Sequence, residues 1–153
     1  MNTRPFDQPT EVNVKGVSFT GLRCRSTMIN ISTEFDSKID QLFKLIDPTK
    51  IRGPLYSLYL SQYMGPTDEF DFAIGFELDG TYDGTEQFNI QPKKHVVYSH
   101  IGPYKDLSEA FQKVMDYLGT NNLQYSGQCF EMYMNSPQQT SEDQLRTDIY
   151  MSV

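Results

Sequence analysis

The chain has 153 residues, enough for one domain with its own core or two small fused halves. With 38% hydrophobic and 22% charged residues it reads as a globular protein rather than a disordered tail. The formal net charge is −7 and no basic cluster exceeds Lys93-Lys94, so nucleic acid and anionic membrane are poor partners, while a cationic ligand is favoured.

At the N-terminus, Met1 to Asp7 shows no apolar leader core, and no stretch approaches membrane-spanning length. Val12 to Arg23 predicts a first strand, with Gly16 and Gly21 as sites for bulges. Phe35, Ile39, Leu42, Phe43 and Ile46 form one stripe of an amphipathic helix, capped by Ser32 or Thr33 and stopped by Asp47-Pro48. Leu55 to Ser61 predicts a second strand, with Tyr56, Leu58 and Leu60 on one face and Ser57 and Tyr59 on the other. After a turn at Gly65-Pro66-Thr67-Asp68 comes a third strand. Its Phe70, Phe72, Ile74, Phe76 and Leu78 alternate with Glu69, Asp71, Ala73, Gly75 and Glu77. A polar loop follows through Gly84.

Lys94 to Ile101 reads as the next strand, ended by Gly102-Pro103, which opens a helix carrying Leu107, Phe111, Val114, Met115 and Leu118 and stopped by Gly119. Gln128 to Asn135 is a strand closed by Asn135-Ser136-Pro137, and Leu145 to Val153 is the last strand. The two helical stripes share one spacing at an offset of 72 residues, and the order of elements repeats with them. The predicted fold is therefore α+β. It has two tandem strand-helix-strand-strand modules with pseudo-two-fold symmetry, over about 10–80 and 92–153, forming one domain of antiparallel sheet with helices on one face.

The chemistry gathers on the strand around Glu131. Alternation puts Phe130, Met132 and Met134 on one face and Cys129, Glu131 and Tyr133 on the other, so an acid sits between a thiol and a phenol. Two readings stay open: a charge on a solvated sheet face, or an acid in a ligand cleft. If the helices cover the phenylalanine-bearing faces, the opposite faces carry Tyr59, Ala73, Gly75, Glu131, Tyr133, Asp148 and Tyr150. Tyrosine walls, room left by Ala and Gly, and acids suit a lipophilic aromatic cation. The repeat offset matches Glu131 to Tyr59, an acid and a phenol on the two sides of the expected cleft.

Other sites are weaker. His95 and His100 are five apart on a strand and point to opposite faces, so no metal site follows. There is no G-x-S-x-G and no glycine-rich phosphate loop, and no cofactor is expected. Cys24 and Cys129 are isolated thiols, which fits small buried fillers in a reducing cytoplasm.

Val96-Val-Tyr-Ser-His-Ile-Gly-Pro-Tyr104, Phe130-Glu-Met-Tyr-Met-Asn-Ser-Pro137 and Leu145-Arg-Thr-Asp-Ile-Tyr-Met-Ser-Val153 together resemble the GyrI-like small-molecule-binding domain. This is also the effector-binding domain of AraC-type and MerR-type multidrug regulators. The resemblance implies two modules with a ligand cleft between them. It implies Glu131 as the acid receiving a cationic drug, Asp148 as a second acid, and Tyr59, Tyr133 and Tyr150 as aromatic walls. Tyr104, in the Gly-Pro-Tyr, would pack against the helix start or the ligand. No helix-turn-helix segment precedes these modules, so the expected form is stand-alone, a monomer or weak dimer that does not read DNA itself. The leading expectation is a sensor or sequestering binder of hydrophobic cations. The alternatives are a hydrolase of electrophilic cyclopropane-type natural products, with Glu131 as general base and Tyr59 or Tyr133 as proton donor, and a gyrase-inhibitor-like module that meets a protein partner or a regulator.

Overall fold

Alternating apolar residues build eight strands around two amphipathic helices in the computed structural model, which describes residues 4–27, 29–61 and 68–153. In chain order these are β1 (Thr10–Val14), β2 (Val17–Ser26), α1 (Ile31–Leu45), β3 (Ile51–Tyr59), β4 (Phe70–Leu78), β5 (Glu86–Ile90), β6 (Lys93–Ile101), α2 (Leu107–Thr120), β7 (Cys129–Tyr133) and β8 (Arg146–Ser152). The chain divides into two compact units, one of residues 17–90 and one of residues 1–16 with 91–153.

In the first unit the strands run β3-β4-β2-β5, all antiparallel. In the second they run β7-β8-β6-β1, also antiparallel. The order is the same in both: the two strands after each helix pair with each other, and the second of them pairs with the strand before the helix. A further strand then covers the open edge of the pre-helix strand, which removes a row of unpaired backbone groups. No described helix is long and apolar enough to cross a membrane.

The elements depart from expectation in three places. The first strand is two strands: β1 ends at Val14 and pairs with β6, and β2 begins at Val17 and pairs with β4 and β5. Beyond the polar loop that runs through Gly84 lies a strand not expected from the sequence, β5, whose Phe88 and Ile90 are buried against β2 while Glu86, Gln87 and Asn89 stay exposed. α1 starts one residue before Ser32, at Ile31, with Asn30 at its N-cap and no side-chain cap bond, so neither Ser32 nor Thr33 caps it. The turn expected at Gly65-Pro66-Thr67 lies outside the described residues.

Each helix buries part of its apolar face: Leu42 in α1, and Ala110, Val114 and Leu118 in α2. Phe43 and Met115, at the stripe margins, remain exposed. Under α1 lie Leu22, Cys24, Phe70, Phe72 and Ile74. The opposite face of that sheet is also apolar, where Phe19 stacks on Tyr56 at 5.5 Å and on Phe88 at 5.4 Å.

Register decides which strand faces belong together. Directly opposed residues of an antiparallel pair share a face. Tyr59 opposes Phe72 and Ser57 opposes Ile74, whereas Tyr56 opposes Gly75 and Leu58 opposes Ala73. The expected grouping of Tyr56 and Leu58 with the β4 phenylalanines is therefore reversed, and Tyr59 joins the helix-covered face.

Candidate functional site

β7 is a five-residue strand whose pairing with β8 sets Cys129 against Met151, Glu131 against Ile149 and Tyr133 against Thr147. On the other side of β8, Ile149 opposes Tyr98 and Thr147 opposes His100 of β6. α2 lies over this same face: Lys113 Nζ sits 5.3 Å from the centre of the Tyr98 ring and donates to its hydroxyl at 3.1 Å. Tyr104, in the single 3-10 turn leading into α2, meets the Tyr133 ring edge-on at 5.6 Å. Glu131 thus points to the helix side of its sheet, not to an uncovered side.

Glu131 is 3% exposed. Tyr133 Oη donates to its Oε1 at 2.7 Å, and among the described residues no Lys, Arg or His forms an ion pair with it. Burial pushes the carboxyl up from an ordinary 4.5 to about 7, and the Tyr133 bond opposes that rise. A carboxyl poised near neutrality in a dry site, with a phenol donor, can receive the charge of a cation or take a proton from water. Neighbouring Cys129 is buried, and burial together with the Glu131 charge holds its thiol well above the usual range, so it is a filler rather than a nucleophile.

The other expected site residues are divided by the pleat. Asp148 and Tyr150 lie on the face of β8 away from Glu131, because they oppose Met132 and Phe130. Asp148 is already neutralised there. Arg146 Nε and an Nη donate to its two oxygens, each at 2.9 Å, and Ser99 Oγ donates at 2.6 Å. The Phe6 backbone N–H donates to Ser99 Oγ at 2.8 Å, so this buried pair also anchors the N-terminal segment. Tyr150 stacks on Phe130 at 4.5 Å, and its phenol is pushed up to about 12 by burial and by the Asp148 charge. His95 stands edge-on to Phe130 on this second face, while His100 is on the Glu131 face.

In the other unit, Tyr59 stacks on Phe70 at 5.8 Å and packs under α1. Ala73 and Gly75 lie on the opposite face. Gly75 does not leave room: a Cβ there would come within 2.2 Å of the Thr20 carbonyl oxygen and 2.8 Å of Gly21 Cα. It permits two strands to approach closely.

Of the residues expected to line one site, the structure brings Glu131 and Tyr133 together and adds Tyr104. A cavity of about 290 Å³ opens beside Tyr104, lined also by Lys105, Pro137, Thr140, Glu142 and Leu145. Thr147 was not expected at the site. It is fully buried on the Glu131 face, and its hydroxyl has no hydrogen-bond partner among the described residues. The i, i+2 step from Ile149 carried this information once the strand register was known.

No curated protein matches the chain. Among solved structures, the chain is similar to SAV2435 bound to tetraphenylphosphonium (14% identity, TM-score 0.74, covering 95% of this chain and 93% of that one). It is also similar to a hydrolase encoded by lin2189 from Listeria innocua (10%, TM-score 0.65, 97% and 92%). A third likeness is to the EcmrR C-terminal domain (15%, TM-score 0.67, 95% and 96%). At these identities the likeness is one of fold. The family model of the GyrI-like small molecule binding domain matches residues 7–153. This α+β chain therefore belongs to the GyrI-like small-molecule-binding family.

Proposed function

We propose that the domain binds hydrophobic organic cations, with the Glu131 carboxylate as counter-charge and the Tyr133 and Tyr104 rings as walls. The observation that carries this reading is a 3% exposed glutamate whose hydrogen bond is to a phenol and which no described basic residue pairs with. An acid desolvated without a counter-ion is costly, and a ligand cation offsets that cost. Membership of a small-molecule-binding family supports the reading, as does the tetraphenylphosphonium held by the similar fold of SAV2435.

Calorimetric titration of tetraphenylphosphonium at pH 8 tests it. Wild type should bind, and Glu131→Gln should bind about 100-fold more weakly, as expected for ~3 kcal/mol on removing one partner of a buried charge pair. Equal affinities would remove Glu131 from this role.

A second reading draws on the same hydrogen bond. A carboxyl near 7 suits a general base, and Tyr133 sits where a proton donor is needed. Incubation with an electrophilic cyclopropane, followed by mass spectrometry, separates the two. Hydrolysis lost in both Glu131→Gln and Tyr133→Phe supports catalysis, and an unchanged substrate leaves the binder.

A further inference from the structure

Thr147 is fully buried on the Glu131 face of β8, and its hydroxyl has no hydrogen-bond partner among the described residues. Its two cross-strand neighbours are Tyr133 and His100. The Tyr133 hydroxyl donates to Glu131 at 2.7 Å and His100 Nε2 is 2.9 Å from the Pro103 carbonyl oxygen, and neither side chain hydrogen-bonds to the Thr147 hydroxyl. Thr147 is one diagonal step from Glu131, which opposes Ile149; such diagonal pairs are about 7–8 Å apart. That distance suits two groups touching different atoms of one small molecule.

A buried hydroxyl left unpaired is disfavoured, and the demand falls chiefly on its O–H donor. A valine would fill the same space without that cost. No acceptor for the hydroxyl stands among the described residues, which leaves it open to one carried by a ligand.

We propose that Thr147 determines ligand specificity at the Glu131 site. Its hydroxyl donates to an acceptor oxygen (a carbonyl, ester or ether) carried by the cation close to its charged centre. The site then takes polar-substituted aromatic cations in preference to pure hydrocarbon ones. A hydrocarbon cation satisfies Glu131 but leaves the hydroxyl unpaired in the bound state as well, whereas an acceptor-bearing cation satisfies both. This inference rests on the reading of Glu131 as a cation site.

The experiment compares two probes at pH 8, tetraphenylphosphonium and a triphenylphosphonium bearing an ethyl ester, titrated into the full chain and into Thr147→Val and Thr147→Ser. Wild type should favour the ester cation by about tenfold, the worth of one good hydrogen bond. Thr147→Val should abolish the preference, and Thr147→Ser should keep it. The valine variant should also melt higher than wild type, since it discards an unpaired polar atom. A wild type without preference, or a preference that survives in Thr147→Val, would overturn the inference and leave the cation reading standing. A valine variant that melts lower would show that the hydroxyl is paired within the protein, and would overturn it too. If wild type binds neither probe, the cation reading itself falls and this inference falls with it.

Discussion

Glu131 contributes a pH dependence to the stability of the ligand-free protein. Its carboxyl is raised from 4.5 in an open chain to about 7 in the fold, so the folded state holds this proton more tightly. The stability associated with that proton is fully present below about pH 4.5 and is lost as pH rises through about 7. The span corresponds to roughly 3 kcal/mol at 1.36 kcal/mol per pH unit. Chemical denaturation should therefore find Glu131→Gln more stable than wild type by up to ~3 kcal/mol at pH 8, and nearly equal to it at pH 4.5. A difference that does not change between these pH values would mean that the carboxyl is not desolvated. This residue was legible in the sequence because an acid is out of place in an apolar strand. Asp148, expected as a second acid beside it, lies on the opposite face of β8. Arg146 stands two residues before it, and on a strand that spacing puts both on one face as a ready ion pair.

Among the elements, β2 and β4 show how backbone proximity dictates residue choice. Gly21 and Gly75 oppose one another, and a Cβ on either would collide with the backbone of the other strand. Gly75→Ala should therefore destabilise the protein at or above the upper end of the ~1–3 kcal/mol typical of overpacking, visible as a lower Tm, because the obstruction is backbone rather than a movable side chain. A neutral substitution would show that the strands separate freely at that point. The sequence displayed a small residue here without its reason: room for a ligand and close strand approach both call for glycine. β5 was hidden for a different reason. Its polar residues alternate with Phe88 and Ile90 over only five positions, beside turn residues that read as loop.

For the whole molecule, a bound cation should act as a pH-dependent stabiliser. At 100 times its dissociation constant, a ligand that binds only the folded state contributes about 2.7 kcal/mol. For a chain of this size that should raise Tm by roughly 5–11 °C at pH 8. At pH 5.5 the protonated Glu131 should weaken binding ~30-fold, so the same ligand concentration should shift Tm far less. Scanning calorimetry with tetraphenylphosphonium at the two pH values checks this, and equal shifts would show that the cation does not meet Glu131. By itself, the sequence determined the α+β class, two amphipathic helices, the repeated strand-helix-strand-strand order and an acid on an apolar strand. Those features follow from local periodicity, which a linear chain displays directly. Only the tertiary structure decided which faces lie together. Alternation sorts residues within one strand, but the register between strands decides whether Tyr59 lies with Phe72 or with Ala73, and whether Glu131 lies with Ile149 or with Asp148. A one-residue slip exchanges every partner, and no single strand contains the information that prevents it.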